Sequence, residues 1–126
     1  MSIKVINPPD AAPPLAPYSR GTRGGNTIYV AGTCAFDAQG KTVGVGDIRA
    51  QTRHVLEAIK KVIEAGGGTM ADVAMNHIFL TDMNNYKGMN EVYAEYFPKN
   101  PPARYCVLCK LVRDDFLVEI ASVAHV

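Results

Sequence analysis

The last stretch of the chain, Phe116 to Val126, constrains the fold more than any other. One face of a strand there would carry Phe116, Val118, Ile120, Ser122, Ala124 and Val126, and the other Leu117, Glu119, Ala121, Val123 and His125. Strand side chains alternate, so both faces are mostly apolar and both need cover. Two helical segments elsewhere in the chain can cover one side only. The second side calls for another subunit, and the sequence therefore predicts an oligomer.

At 126 residues the chain is read as one domain spanning 1–126. Thirteen Lys and Arg against twelve Asp and Glu leave a net charge of +1, without the basic excess of a nucleic-acid binder. No apolar run approaches the ~20 residues of a membrane helix. The opening MSIKVINPPDAAPP lacks the continuous apolar stretch of a signal peptide. Three cysteines make no disulfide framework. The expectation is a cytoplasmic domain with reduced thiols, without nucleic-acid or membrane partners.

Residues 1–17 hold five prolines, which suits an extended arm along a sheet edge. Tyr18 to Gly25 reads as an edge strand or hairpin arm, and Thr27 to Cys34 as a strand. Asp47 to Ala65 is an amphipathic helix. Ile48, Thr52, Val55, Leu56, Ile59, Val62 and Ile63 form its apolar stripe, and Gln51, Arg53, His54, Glu57, Lys60, Lys61 and Glu64 its polar face. Asp47 supplies an N-cap and Gly66-Gly67-Gly68 a left-handed stop. Val73 to Leu80 reads as a strand and Asn84 to Phe97 as a second helix, its stripe formed by Tyr86, Met89, Val92, Tyr93 and Tyr96/Phe97. Two strands follow, Ala103–Val112 and Phe116–Ala124, and the short turn at Arg113-Asp114-Asp115 predicts that they pair as a hairpin. The order implies an α+β fold, a mixed sheet with two helices packed on one face.

Arg104 and Glu119 stand alone as charges within apolar strands, where charge is seldom left without a partner or a task. Two roles fit them: a structural ion pair, or a site. In the predicted hairpin Glu119 faces Leu108, leaving roughly 13 Å between the charges within one chain. They would then meet, if at all, across a subunit boundary. Cys106 shares the strand face of Arg104, whereas Cys109 reads as a small core residue. Residues three apart on a strand point to opposite faces, so Cys106 and Cys109 could neither pair nor share a metal. Gly40-Lys41-Thr42 fails as a phosphate loop because Ala35 replaces its first glycine, and Gly44-Val-Gly46 fails as a dinucleotide fingerprint at Arg49. Asn84 and Asn85 suit helix capping. Asn90, beside the apolar stripe, is less expected there, and Tyr18 fits edge-strand packing.

Pro102-Ala-Arg-Tyr-Cys-Val107 and Val118-Glu-Ile-Ala-Ser-Val-Ala124 resemble the signature of the RidA (YjgF) family of enamine/imine deaminases. The similarity runs from about Ala16 to the C-terminus. Gly46–Glu57, Glu64–Met70, Asn90–Phe97 and Glu119–His125 resemble the RutC subgroup of aminoacrylate deaminases most closely. The resemblance implies a chorismate-mutase-like fold, a homotrimer around a central β-barrel and clefts between subunits. It implies that Arg104 grips a substrate carboxylate and that Glu119 holds or activates water. Cys106 would lie beside the ligand, acting through its backbone N–H, while Tyr18 and Asn90 close the cleft. No cofactor or metal is implied. Family members often carry Ser-Gly where this chain has Ala31-Gly32, so one hydroxyl contact is missing or replaced.

The implied reaction is hydrolysis of 3-aminoacrylate to malonic semialdehyde and ammonia in pyrimidine (uracil) degradation. A broader deaminase acting on 2-aminoacrylate or 2-iminobutanoate would use the same residues. A non-catalytic trimer that binds small carboxylates is a reading of a different class. RNA cleavage, a role also attached to the family, is opposed by the charge balance and the missing basic–aromatic stripe. Peroxide reduction at Cys106 lacks a resolving thiol on the same strand face.

Overall fold

The computed structural model describes residues 2–126. Six strands form one sheet, β1 (Ile3–Ile6), β2 (Gly21–Gly24), β3 (Thr27–Thr33), β4 (Val73–Leu80), β5 (Ala103–Leu108) and β6 (Val118–His125). Their spatial order is β1-β2-β3-β6-β4-β5. The helices α1 (Ile48–Ala65) and α2 (Tyr86–Tyr96) pack on one face. The proline-rich arm does run along an edge, through β1 paired antiparallel to β2.

Helix α1 starts where expected, with the Asp47 carboxylate accepting from the Ala50 amide. It stops at Gly67, whose φ of +97° is open to glycine and closed to most side chains. Its stripe of Val55, Leu56, Ile59, Val62 and Ile63 meets Ile28, Val30, Ile78, Val118 and Ile120 of the sheet in one buried core. Truncating a residue such as Ile59 to alanine there costs about 2–5 kcal/mol. Gln51 departs from the predicted polar face and is fully buried. Its amide donates to the Asp115 carbonyl at 2.8 Å and accepts from the Leu117 amide at 2.8 Å. It thus fastens the approach to β6 onto the helix. The second helix opens with a 3₁₀ turn, Met83–Asn85, so α2 proper begins at Tyr86. Asp82, not Asn84 or Asn85, supplies the capping side chain there.

The predicted hairpin does not form. The strands β5 and β6 both pair with β4, which lies between them, β5 in parallel and β6 antiparallel. The segment between Leu108 and Val118 crosses the end of β4 instead of turning back on β5, and it is tied down by bonds to distant residues. Arg113 donates to the Gly40 carbonyl at 2.7 Å and lies over the Phe116 ring, while Thr42 donates to Asp115 at 2.9 Å. Cys109, expected in the core, lies exposed in this segment.

The two faces of β6 divide as its alternation requires. Val118, Ile120, Ser122 and Ala124 are buried under the helices. On the reverse face Tyr29, Tyr105 and Val107 are exposed, with Phe79 and Val123 half-buried beside them. Tyr105 stacks edge-on against His77 and Phe79. Among the described residues no helix covers this side.

Candidate active site

Residue pairing places Arg104 and Glu119 on opposite faces of the sheet. Arg104 on β5 faces Asn76 on β4, which faces Ser122 on β6, and these side chains share the helix-covered side. Glu119 on β6 faces Phe79, which faces Val107, and these lie on the open side. The pairing thus excludes the structural ion pair within one chain, and it replaces the hairpin distance by a stricter reason.

On the helix side, α2 supplies the surroundings of Arg104. Its guanidinium donates to Asn90 Oδ1 at 2.7 Å and to the Tyr86 hydroxyl at 3.2 Å. It also lies 4.7 Å from the centroid of the Tyr93 ring, within cation–π range. Tyr86, Asn90 and Tyr93 recur at helical spacings of four and three, so one face of α2 presents all three. The ring of Tyr93 is itself fixed from below. Ser122 donates to Asn76 Oδ1, and the Asn76 amide donates to the Tyr93 hydroxyl at 2.9 Å. Two residues on, the half-buried Cys106 shares the Arg104 side; burial pushes its thiol up and the nearby guanidinium opposes that shift. A guanidinium held by one amide and two rings keeps further N–H groups for a planar carboxylate.

Around Glu119 the surroundings are different. A cavity of 460 Å³ is lined by Leu15, Tyr18, Ala31, Gly32, Phe116 and Glu119, among others. A β-bulge between Val30 and Thr33 inserts one extra residue opposite β6 and re-aims the end of β3. Gly32 falls in this bulge, and a Cβ there would overlap Glu119 Oε2. The carboxylate therefore keeps this position because residue 32 has no side chain, and a methyl there would push it aside. Cys34, two residues on, donates its S–H to Glu119 Oε1 at 3.2 Å. Phe36 and Phe116 pack with Cys34 in a small cluster beneath.

The predicted site residues thus gather into two groups, Arg104 with Asn90 and Cys106, and Glu119 with Tyr18. One chain does not bring the groups together. Tyr86, Tyr93, Gly32 and Cys34 are not among the site residues expected from sequence, where the two tyrosines read only as part of an apolar stripe. The heptad spacing of Tyr86 and Tyr93 about Asn90 was a usable signal, whereas Cys34 carried none because its partner lies 85 residues away. Among the described residues no cluster of three His, Cys, Asp or Glu side chains could hold a metal ion. All three cysteines are free. Among the described residues no helix is long and apolar enough to cross a membrane.

Solved structures similar to this chain share its fold over nearly the full length. A Rid-family protein of unknown function from Yersinia pestis is 33% identical at a TM-score of 0.90, with 99% of this chain and 100% of that one covered. RidA from the Antarctic bacterium Psychrobacter is 30% identical at a TM-score of 0.90, covering 98% and 99%. TdcF from E. coli, solved with bound serine, is 28% identical at 0.89, covering 98% of each. The family model described as Endoribonuclease L-PSP matches residues 9–126. The α+β sheet with two helices on one face, the Arg104 and Glu119 strands and this near-complete match agree, and the chain belongs to the Endoribonuclease L-PSP family, which includes the Rid and YjgF proteins.

Proposed function

We propose that the protein is an enamine/imine deaminase, acting on short enamine carboxylates of which 3-aminoacrylate is the leading candidate. The observation that carries this reading is the split between a guanidinium poised for a carboxylate and a carboxylate beside an apolar cavity. Arg104 donates two parallel, charge-assisted hydrogen bonds to the substrate carboxylate. The enamine tautomerises to an imine, and Glu119 orients water for attack on the imine carbon. A water proton passes through Glu119 to nitrogen as the C–O bond forms. The tetrahedral intermediate then releases ammonia and leaves the aldehyde, malonic semialdehyde for 3-aminoacrylate. Positioning and one proton relay supply the acceleration, and no cofactor enters any step.

Because the two groups lie on opposite faces, a complete site needs two chains. In the proposed homotrimer the open, apolar sheet faces turn inward as a barrel, and Arg104 of one protomer meets the Glu119 cavity of its neighbour. Tyr18 and Asn90 close the cleft from the two sides. A role in pyrimidine degradation, in the manner of the RutC subgroup, rests on the sequence blocks alone, and three free thiols suit the reducing cytoplasm. The bound serine of TdcF favours a second reading, a trimer that binds small carboxylates without turning them over.

Ammonia release from freshly generated 3-aminoacrylate, corrected for spontaneous decay, tests the proposal against Arg104→Ala. Acceleration by the wild type and its loss in the variant are expected. Rapid consumption of 2-aminoacrylate alone would move the substrate assignment, and tight binding without release of ammonia would favour the binding protein.

A further inference from the structure

We infer that Cys34 is a positioning residue for the Glu119 carboxylate, fixing through its S–H the oxygen that does not face the glycine gap. The inference rests on the deaminase reading and adds to it a residue outside the implied set. Cys34 is 7% exposed and packs against Phe36 and Phe116, so its thiol has little freedom to turn elsewhere. Its Sγ lies 3.2 Å from Glu119 Oε1, while Oε2 lies against Gly32, where no side chain intervenes. The carboxylate is therefore gripped at one oxygen and given clearance at the other. Among the described residues no Lys or Arg forms an ion pair with Glu119.

The chemistry of a thiol suits this place. Burial first, and the charge of Glu119 second, push the Cys34 thiol far above its ordinary value, so at neutral pH it remains a protonated donor. An S–H group is a weak donor. It directs a carboxylate while withdrawing less of its charge than a guanidinium or ammonium would, and a carboxylate that relays a proton must stay basic. The same burial makes Cys34 a poor nucleophile, which sets it apart from the reactive cysteines of redox sites.

Steady-state kinetics and infrared spectroscopy test the inference together. Cys34→Ala removes the donor, and kcat should fall about 10-fold with KM unchanged, since the base loses its aim while carboxylate binding at Arg104 is untouched. Cys34→Ser restores a donor and should return kcat to within about threefold of wild type, a rescue that a merely structural role for the thiol would not give. An active wild type whose Cys34→Ala variant keeps full kcat overturns the positioning role and leaves deamination standing. A wild type inactive on all short enamines overturns the deaminase reading on which the role depends. The bond has its own readout, the S–H stretching band in a chain whose sole thiol is Cys34, made by Cys106→Ser and Cys109→Ser. A band lowered in frequency, moving up when Glu119→Gln is added, supports the bond; a band at the free-thiol position overturns it whatever the rates.

Discussion

On the helix side of the sheet Arg104 rests against an amide and two aromatic rings, and a buried Asn76–Ser122 pair holds one of those rings in place. On the open side Glu119 has a single thiol, a glycine and an apolar cavity. The contrast suits the two tasks of the proposed reaction. A guanidinium that grips a carboxylate gains from rigid, polar support, since its charge never has to change. A carboxylate that moves a proton gains from sparse contacts that aim it without neutralising it. Strand alternation then keeps the two groups on separate faces, and in the proposed trimer each chain would contribute halves of two different sites.

Substitutions on each side should fail differently. Glu119→Gln should lower kcat by about 10²- to 10⁴-fold with ligand binding retained, as measured by single-turnover ammonia release and by titration with an unreactive carboxylate. Loss of that titration would place Glu119 among the binding groups and erase the contrast. Arg104→Ala should lower kcat/KM by about 10²- to 10³-fold, mainly through KM, with the oligomeric state unchanged by sedimentation. Gly32→Ala puts a methyl where Glu119 Oε2 lies, and should displace the carboxylate and lower kcat by about 10-fold while KM stays near wild type. The smallest effect belongs to the outer helix surface, where Arg53 and Glu95 pair in the open at 2.8 Å. Arg53 holds the Glu95 carboxyl below its ordinary value, so the pair's contribution is present above the unfolded carboxylate range and fades as pH falls through the folded value. Exposed to solvent, it is small, and Arg53→Ala should leave Tm nearly unchanged in thermal melts at pH 7 and equally so at low pH.

Local signals carried much of this fold in the sequence. Helix α1 was legible because its stripe, its Asp47 cap and its glycine stop lie within one short segment. The two-sided character of β6 was legible from alternation alone, and it is the ground on which a second subunit is proposed. Strand pairing was not. A short polar segment after β5 suggested a hairpin, but bonds from Arg113 to Gly40 and from Gln51 to Asp115 draw that segment across the end of β4. Those partners are distant in sequence, and no local pattern announces them. The same reason hid Gln51, placed on the polar face by periodicity yet buried because it caps backbone groups 64 and 66 residues away. Arg104 and Glu119 were visible as lone charges in apolar strands, but which face each occupies depends on β4 lying between them.

Mixing the two impaired variants, assayed at substrate well below KM, is the most direct measurement of a site shared between chains. Arg104→Ala and Glu119→Gln would be dissociated, combined in equal amounts, reassembled and assayed for ammonia release, with mixed trimers verified by native mass spectrometry. A site built from the Arg104 side of one protomer and the Glu119 side of its neighbour should recover about one quarter of wild-type activity, because random assembly restores both intact groups at that fraction of interfaces. Mixed trimers as inactive as their parents would show that both groups act within one chain, and would contradict the shared site.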